Sequence, residues 1–216
     1  MNLKHELETP IASLKTAFSL LSEGKISKER ILSNAQLSLE RMTQIVNTLT
    51  DTLPHYSEVI TKLGLVPLPE EGGYYKETYR SKRFIQSDDL GKKTECTAIY
   101  YLITEDSFSA LHAVDQDEIF HFYAGNTVEM FQIDEKGNGK LINIGNKIFE
   151  DETPQVIVPH GVWQGTKLKD PRNGSWALLG CTVAPGFEFQ NFHIKSREDL
   201  ILQFPDHKEL ITKYTN

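Results

Sequence analysis

Three residues capable of metal binding or acid–base chemistry, His112, Glu118 and His121, lie within one short stretch of the sequence. Imidazole and carboxylate groups bind divalent metals, and they also act as general acids and bases. The stretch lies between two apolar runs that resemble β-strands. These side chains could therefore bind a metal, bind a small molecule, or only fill the interior of a barrel.

The spacing of these residues separates His121 from Glu118. Successive side chains on a β-strand point to opposite faces, so a residue three positions after Glu118 lies on the other face. A β-bulge would restore it to the same face. We predict that His112 and Glu118 line a cavity. His121 is either a third ligand-binding residue or a histidine held by structural hydrogen bonds or a subunit contact.

Two further segments supply candidate ligand-binding residues. Tyr75, Glu77 and Tyr79 follow a pair of glycines and share one face of a predicted strand. Tyr75 and Glu77 could contact a ligand, or could belong to an edge strand with ordinary polar exposure. Trp163 could form a pocket wall or pack within the core.

Two periodicities divide the chain. Residues 1–53 have apolar residues at spacings of three and four, which is typical of a helical hairpin. Beyond a short predicted helix at 58–63 the period becomes two, in short runs that include 187–194 and are separated by turn residues. This pattern is typical of a β-sandwich or barrel. We therefore predict a helical hairpin over 1–53 and a β-domain with a C-terminal helix over 54–216.

The second predicted helix carries two neighbouring apolar stripes. One stripe contains Ile31, Ala35, Ser38, Met42, Ile45 and Leu49, and the other contains Leu32, Leu39, Val46 and Leu53. This apolar face is wider than one partner helix needs, and two helices alone bury little surface. We therefore expect the hairpin to pair with a second copy, giving a homodimer.

Composition excludes several classes of protein. The formal net charge of −7 argues against a nucleic-acid partner, because phosphates bind basic surfaces. No apolar run reaches the length of a membrane span or of a signal-peptide core, so we expect a cytoplasmic chain without a membrane partner. Cys96 and Cys181 lack the spacing of a zinc site or a disulfide scaffold, which favours free thiols.

Five motifs follow one another along the β-domain: "LGLVPLPEEGGYYKETYRS", "FSALHAVDQDEIFHFYAGNTVEM", "PQVIVPHGVWQGTKL", "WALLGCTVAPGFEFQNFHI" and "FPDHKEL". In this order they resemble the cupin-5 (DUF985) family of cupins. The resemblance covers residues 59–214 and implies a mainly β fold, a cupin jelly-roll β-barrel preceded here by an N-terminal α-helical hairpin. Leu68 stands where the family often has histidine, and Ala113 replaces a basic residue.

The resemblance also implies a pattern of metal ligands, from which this sequence departs. His112 and Glu118 fit the pattern, but Val114 stands at its second histidine and Gln164 at its last. No cofactor is therefore certain. We favour a pocket in which His112, Glu118 and Gln164 contact a small molecule, and the alternative is a divalent metal held by the same three residues.

The N-terminal "KHELETPIASLKTAF" resembles the phospho-acceptor motif of histidine-kinase dimerisation domains. The resemblance covers residues 1–53 and implies a dimeric four-helix bundle in which His5 accepts phosphate. Glu8 replaces the usual basic residue. In an alternative interpretation Thr9 caps a helix that begins at Pro10, and His5 lies in a loose tail.

Three functional hypotheses follow. The first is a small-molecule-binding barrel held as a dimer. The second is a metal-independent epimerase or isomerase-like enzyme, in which His112 acts as a base and Glu118 orients it. The third is a signalling module in which a partner kinase phosphorylates His5.

Overall fold

A computed structural model describes residues 3–23, 27–50 and 54–215. The chain falls into two compact units, residues 1–54 and residues 55–216. Among the described residues, no helix combines the length and the apolar character needed to cross a membrane.

The first unit is a helical hairpin of α1 (Leu3–Ser22) and α2 (Lys28–Thr50). Because α1 begins before Pro10, the alternative in which Thr9 caps the helix is wrong. A proline removes its own N–H donor, and the turn before it stays helical at the cost of that hydrogen bond. His5 falls in this first turn, but its side chain lies outside the part of the chain that the structure describes.

The two stripes of α2 differ in burial. Ile31 and Ser38 are 6 % and 5 % exposed, and Ala17 of α1 is 4 % exposed, because these residues belong to the packed faces of the hairpin. Leu32 and Leu39 are 61 % and 63 % exposed. Ile31 and Ser38 of the first stripe are therefore buried within the hairpin, whereas Leu32 and Leu39 of the second stripe are not covered by the described residues of this unit.

The second unit consists mainly of strands. Within residues 55–215 the strands are β1 (Val66–Pro67), β2 (Tyr74–Arg80), β3 (Phe84–Ser87), β4 (Gly91–Thr94), β5 (Thr97–Thr104), β6 (Ser109–Val114), β7 (Asp117–Gly125), β8 (Val128–Ile133), β9 (Gly139–Ile144), β10 (Gln155–Val158), β11 (Trp163–Leu168), β12 (Trp176–Ala184) and β13 (Phe192–Ile194), and the α-helices are α3 (Tyr56–Leu63), α4 (Arg197–Gln203) and α5 (Lys208–Lys213).

These strands form two antiparallel sheets. Within the described residues, one sheet has the order β1-β2-β5-β12-β7-β10, the other has the order β13-β6-β11-β8-β9, and β3 and β4 form a separate hairpin. Side chains from both sheets, including Tyr101, Leu179 and Met130, form the main core. Two sheets around one core are the jelly-roll architecture. This confirms the predicted mainly β barrel preceded by a helical hairpin.

Helices cover the outer faces of the two sheets. Leu200 of α4 and Ile211 of α5 pack with Phe131 of β8. Val59 of α3 packs with Leu102 of β5. Several strands are therefore buried on both sides.

The predicted strand at 187–194 is partly wrong. A 3-10 helix occupies Phe189–Asn191, and only β13 (Phe192–Ile194) is extended. The Asn191 side chain donates to Asp115 and accepts from Lys93, at 2.9 and 2.7 Å, and these long-range hydrogen bonds hold the turn.

Candidate functional site

A cavity of about 690 Å³ opens between the two sheets. Strands of both sheets line it, together with the loop before β2 and the segment before β13. Its buried end includes Tyr101 and Cys181, which are 1 % and 3 % exposed. Its open end includes Phe189 and Ile194, which are 62 % and 41 % exposed.

Three of the predicted residues, His112, Glu118 and Gln164, meet at the buried end. His112 (β6) and Gln164 (β11) are direct cross-strand partners in one sheet, and Glu118 (β7) belongs to the opposite sheet. Gln164 Nε2 lies 2.8 Å from His112 Nε2 and 3.3 Å from Glu118 Oε2. His112 and Glu118 line the cavity. Gln164 joins them across the two sheets but does not itself line the cavity, which corrects its prediction as a ligand-binding residue.

The partners of this cluster define the orientation of its groups. His112 Nδ1 lies 2.7 Å from the Ala110 carbonyl oxygen, which can only accept, so Nδ1 carries the ring proton. In the neutral ring Nε2 is then an acceptor, and the Gln164 amide donates to it and to Glu118. The hydroxyl of Thr166 lies 3.4 Å from Gln164 Oε1 and donates to it.

This network bears on the hypothesis of proton transfer by His112. Both of its ring nitrogens are engaged by protein atoms, Nδ1 by Ala110 and Nε2 by Gln164. No lone pair of the neutral imidazole is then free for a substrate. Removal of a substrate proton by His112 would first require the Gln164 amide to leave it.

The Glu118 carboxyl is buried, and its surroundings raise its pKa. Burial raises the pKa of its carboxyl, and the charge of Glu71 adds to the effect, while His112, Cys181 and Gln164 oppose it. The Cys181 thiol lies 3.6 Å from Glu118 Oε1, and burial raises the pKa of that thiol well above its ordinary value. Cys181 is therefore an unreactive thiol, whereas Glu118 can present a carboxyl to a ligand.

The cluster does not fit a divalent metal. The point on which His112 and Glu118 converge is filled by the Gln164 amide nitrogen, a donor that cannot bind a cation. Val114, two residues after His112, lines the cavity with an apolar side chain. Among the described residues, no group of three or more His, Cys, Asp or Glu side chains is arranged to hold a metal ion.

His121 lies outside the cavity. The register of β7 with β12 is continuous from Glu118 to His121, and the bulge comes later, beside Leu178 and Leu179. The two side chains therefore lie on opposite faces. His121 contacts Gln155 and Thr182, each at 3.3 Å, which corrects its placement among the cavity residues.

Trp163 also lies away from the cavity. It is 7 % exposed and packs with Leu200 and Phe204 in the core beneath the C-terminal helices. Because it neighbours Gln164 in β11, it points to the opposite face of the sheet. The pocket-wall prediction is corrected to the alternative of core packing.

Tyr75 and Glu77 line the cavity from β2. Arg80 donates through Nε and Nη2 to the two carboxylate oxygens of Glu77, at 3.0 and 2.7 Å, and through Nη2 also to the Phe187 carbonyl at 3.2 Å. A register shift between Glu77 and Tyr79 interrupts the alternation, and Tyr79, 55 % exposed, does not line the cavity.

Sequence reasoning missed the loop before β2 as part of the cavity wall. Glu71 lines the cavity and accepts a hydrogen bond from Ser109 at 2.8 Å, and Tyr101 donates to the Gly72 carbonyl at 2.9 Å. Burial raises the pKa of the Tyr101 phenol well above its ordinary value. The glycine pair signalled a tight turn, but only the folded chain brings this turn beside β5 and β6.

The jelly-roll barrel with a polar cluster at the buried end of its cavity defines a cupin. Residues 57–195 match the model of the cupin superfamily family DUF985, and the chain belongs to this family. Residues 1–52 match the model of the His Kinase A (phospho-acceptor) domain. Both resemblances seen in the sequence are confirmed.

One curated protein and two solved structures illustrate the similarity of other proteins to this chain. An uncharacterized protein of Saccharomyces cerevisiae, YML079W, is 26 % identical over 140 residues, which are 60 % of this chain and 70 % of that protein. A hypothetical protein from Leishmania major has a TM-score of 0.71 and 27 % identity, over 75 % of this chain and 99 % of that one. Protein SO0799 from Shewanella oneidensis has a TM-score of 0.68 and 29 % identity, over 76 % and 99 %.

Proposed function

We propose that the barrel binds a small organic molecule in the cavity between its sheets. The observation that carries this proposal is the 690 Å³ cavity with His112 and Glu118 in its wall at the buried end. This volume lies within the range of about 300–1,000 Å³ that is usual for small-molecule sites. At the buried end a few polar groups stand among apolar side chains, an arrangement typical of such sites.

The wall indicates the kind of molecule that fits. Phe120, Phe187 and Phe192 provide apolar surface, while Glu118 and Glu71 provide carboxyl groups. A carboxylate accepts hydrogen bonds and does not donate them. The proposed ligand therefore has an apolar body and at least one hydroxyl or amine group directed at the buried end.

The test compares ligand retention by three forms of the full chain. Each is equilibrated with the small-molecule fraction of a cell extract and desalted, and the retained compounds are identified by mass spectrometry. Val183→Phe fills part of the cavity, whereas Val66→Phe makes the same change at a position that is 52 % exposed and outside the cavity. We expect wild type and Val66→Phe to retain a compound that Val183→Phe loses. If no compound distinguishes the forms, the proposal is wrong.

We also propose that the hairpin holds the chain as a homodimer. Leu32 and Leu39 form an exposed apolar stripe, and Phe18 of α1 is also 60 % exposed. Apolar side chains at this spacing are the usual contacts between helices in a bundle. A second hairpin would cover them, and it offers the same surface in return.

Molar mass in solution tests this second proposal. We expect wild type to have the mass of a dimer and the double variant Leu32→Glu/Leu39→Glu that of a monomer. Gln36→Glu, on the same helix at an exposed position, adds negative charge without removing apolar surface and is the control. A wild-type monomer, or a double variant that stays dimeric, would contradict the role of the hairpin.

A further inference from the structure

Two basic atoms from opposite sheets point at a single nitrogen atom at the buried end of the cavity. His112 Nε2 and Glu118 Oε2 both face Gln164 Nε2, at 2.8 and 3.3 Å. The three residues are 2 %, 6 % and 1 % exposed. An imidazole nitrogen and a carboxylate oxygen converging in this way are ligands suited to a divalent cation, yet an amide group lies between them.

We propose that the Gln164 carboxamide takes the place of a cation in this barrel, binding His112 and Glu118 through its two N–H groups and excluding a metal from the point between them. A bound metal would lie about 2.0–2.2 Å from each ligand atom, whereas both contacts here have hydrogen-bond lengths. The amide carbonyl is turned away, toward Thr166. Gln164 is thus a positioning residue that fixes the tautomer of His112 and ties the two sheets together.

The replacement changes what the buried end offers to a ligand. A divalent cation would add two positive charges, and a carboxamide adds none. Glu118 and Glu71 then face a ligand without a compensating metal, so a hydroxyl or amine is preferred there to a carboxylate. This consequence rests on the proposed ligand binding, whereas the metal measurements that follow do not.

The first measurement uses wild type and Zn²⁺ alone. We expect the ¹⁵N resonances of His112 to show a proton on Nδ1 and to stay unshifted when Zn²⁺ is added. We also expect His112→Ala to bind as many equivalents of Zn²⁺ as wild type. Coordination shifts at the His112 ring, or an equivalent of Zn²⁺ that His112→Ala lacks, would overturn the proposal even if one variant fails to fold.

The second measurement builds a metal site. Val114 lies two residues from His112 on β6 and lines the cavity, so a histidine side chain at this position would point to the same face of the strand as His112. We expect Val114→His/Gln164→His to bind one equivalent of Zn²⁺ roughly tenfold or more tightly than wild type. Adding His112→Ala to the double variant should abolish this gain. If the folded double variant binds Zn²⁺ no better than wild type, the amide does not stand at a cation position.

Discussion

Lys93 is a buried ammonium group that forms an ion pair with Glu188, and the charge of Asp115 also attracts it. Its Nζ lies 2.5 Å from Glu188 Oε2 and 2.7 Å from Asn191 Oδ1. The Lys93 side chain is 1 % exposed, whereas that of Glu188 is 39 % exposed. Since Glu188 lines the cavity, this contact ties the β3–β4 hairpin to the cavity wall. Because the two partners differ in burial, we expect replacement of Lys93 and replacement of Glu188 to lower the free energy of unfolding by different amounts.

Glu188→Gln keeps an acceptor beside Lys93 but removes the carboxylate in direct contact with it, leaving a buried ammonium group without its ion-pair partner. Breaking a buried ion pair in this way costs about 3–5 kcal/mol, and the retained acceptor places the expected loss near the lower end. Lys93→Met removes the buried charge itself. Glu188 can then be hydrated, and the main loss is the donor to the buried Asn191 oxygen, about 1–3 kcal/mol.

Urea unfolding followed by tryptophan fluorescence measures these losses. Both tryptophans, Trp163 and Trp176, belong to the barrel, so the signal reports this unit and not the helical hairpin. We expect Glu188→Gln to lose more stability than Lys93→Met, and Lys93→Met/Glu188→Gln to resemble Lys93→Met alone. A larger loss for Lys93→Met, or a double variant whose loss equals the sum of both, would refute the reasoning.

Three more predictions follow from single side chains of the barrel. Burial raises the pKa of Glu118, so the folded state binds this proton more tightly than the unfolded state, and the stability gained from protonation is lost as pH rises through the folded-state pKa. Glu118→Gln should therefore be more stable than wild type above that pKa. The difference should shrink toward pH 4.5 when the free energy of unfolding is measured across pH. Tyr214→Phe removes the donor to Glu129 Oε1, 2.8 Å away, and should lower the free energy of unfolding in urea by about 1–2 kcal/mol, whereas an unchanged value would show that the hydrogen bond contributes nothing. At Gly72, φ is +97° and an added Cβ would overlap a backbone carbonyl oxygen, so Gly72→Ala should lower the free energy of unfolding by about 1–3 kcal/mol. Gly91→Ala should lower it less, because φ there is +69° and no atom lies within 4 Å of an added Cβ. Equal melting temperatures for the two variants would contradict this.

Local periodicity was sufficient to predict the kinds of element in each unit. The change from spacings of three and four to a spacing of two separated the hairpin from the barrel. Alternation along a strand predicted that Glu118 and His121 lie on opposite faces, and the continuous register of β7 confirms this arrangement. These features depend on neighbours in the chain, and the sequence contains them directly.

Features that depend on register between distant strands could not be predicted in the same way. The cross-strand partners His112 and Gln164 are 52 residues apart. Gln164 also contacts Glu118, and this contact exists only because the second sheet packs against the first. The register shift after Glu77 turns Tyr79 away from the cavity, and no residue type in β2 predicts this shift.

The sequence by itself determined the hairpin, the barrel, and the presence of histidine, carboxylate and amide groups suited to a site. The tertiary structure decided which of these groups meet, because long-range register and sheet packing set distances that local patterns do not contain. It brought the Gln164 amide to the point between His112 and Glu118, and it placed Trp163 in the core beneath the C-terminal helices.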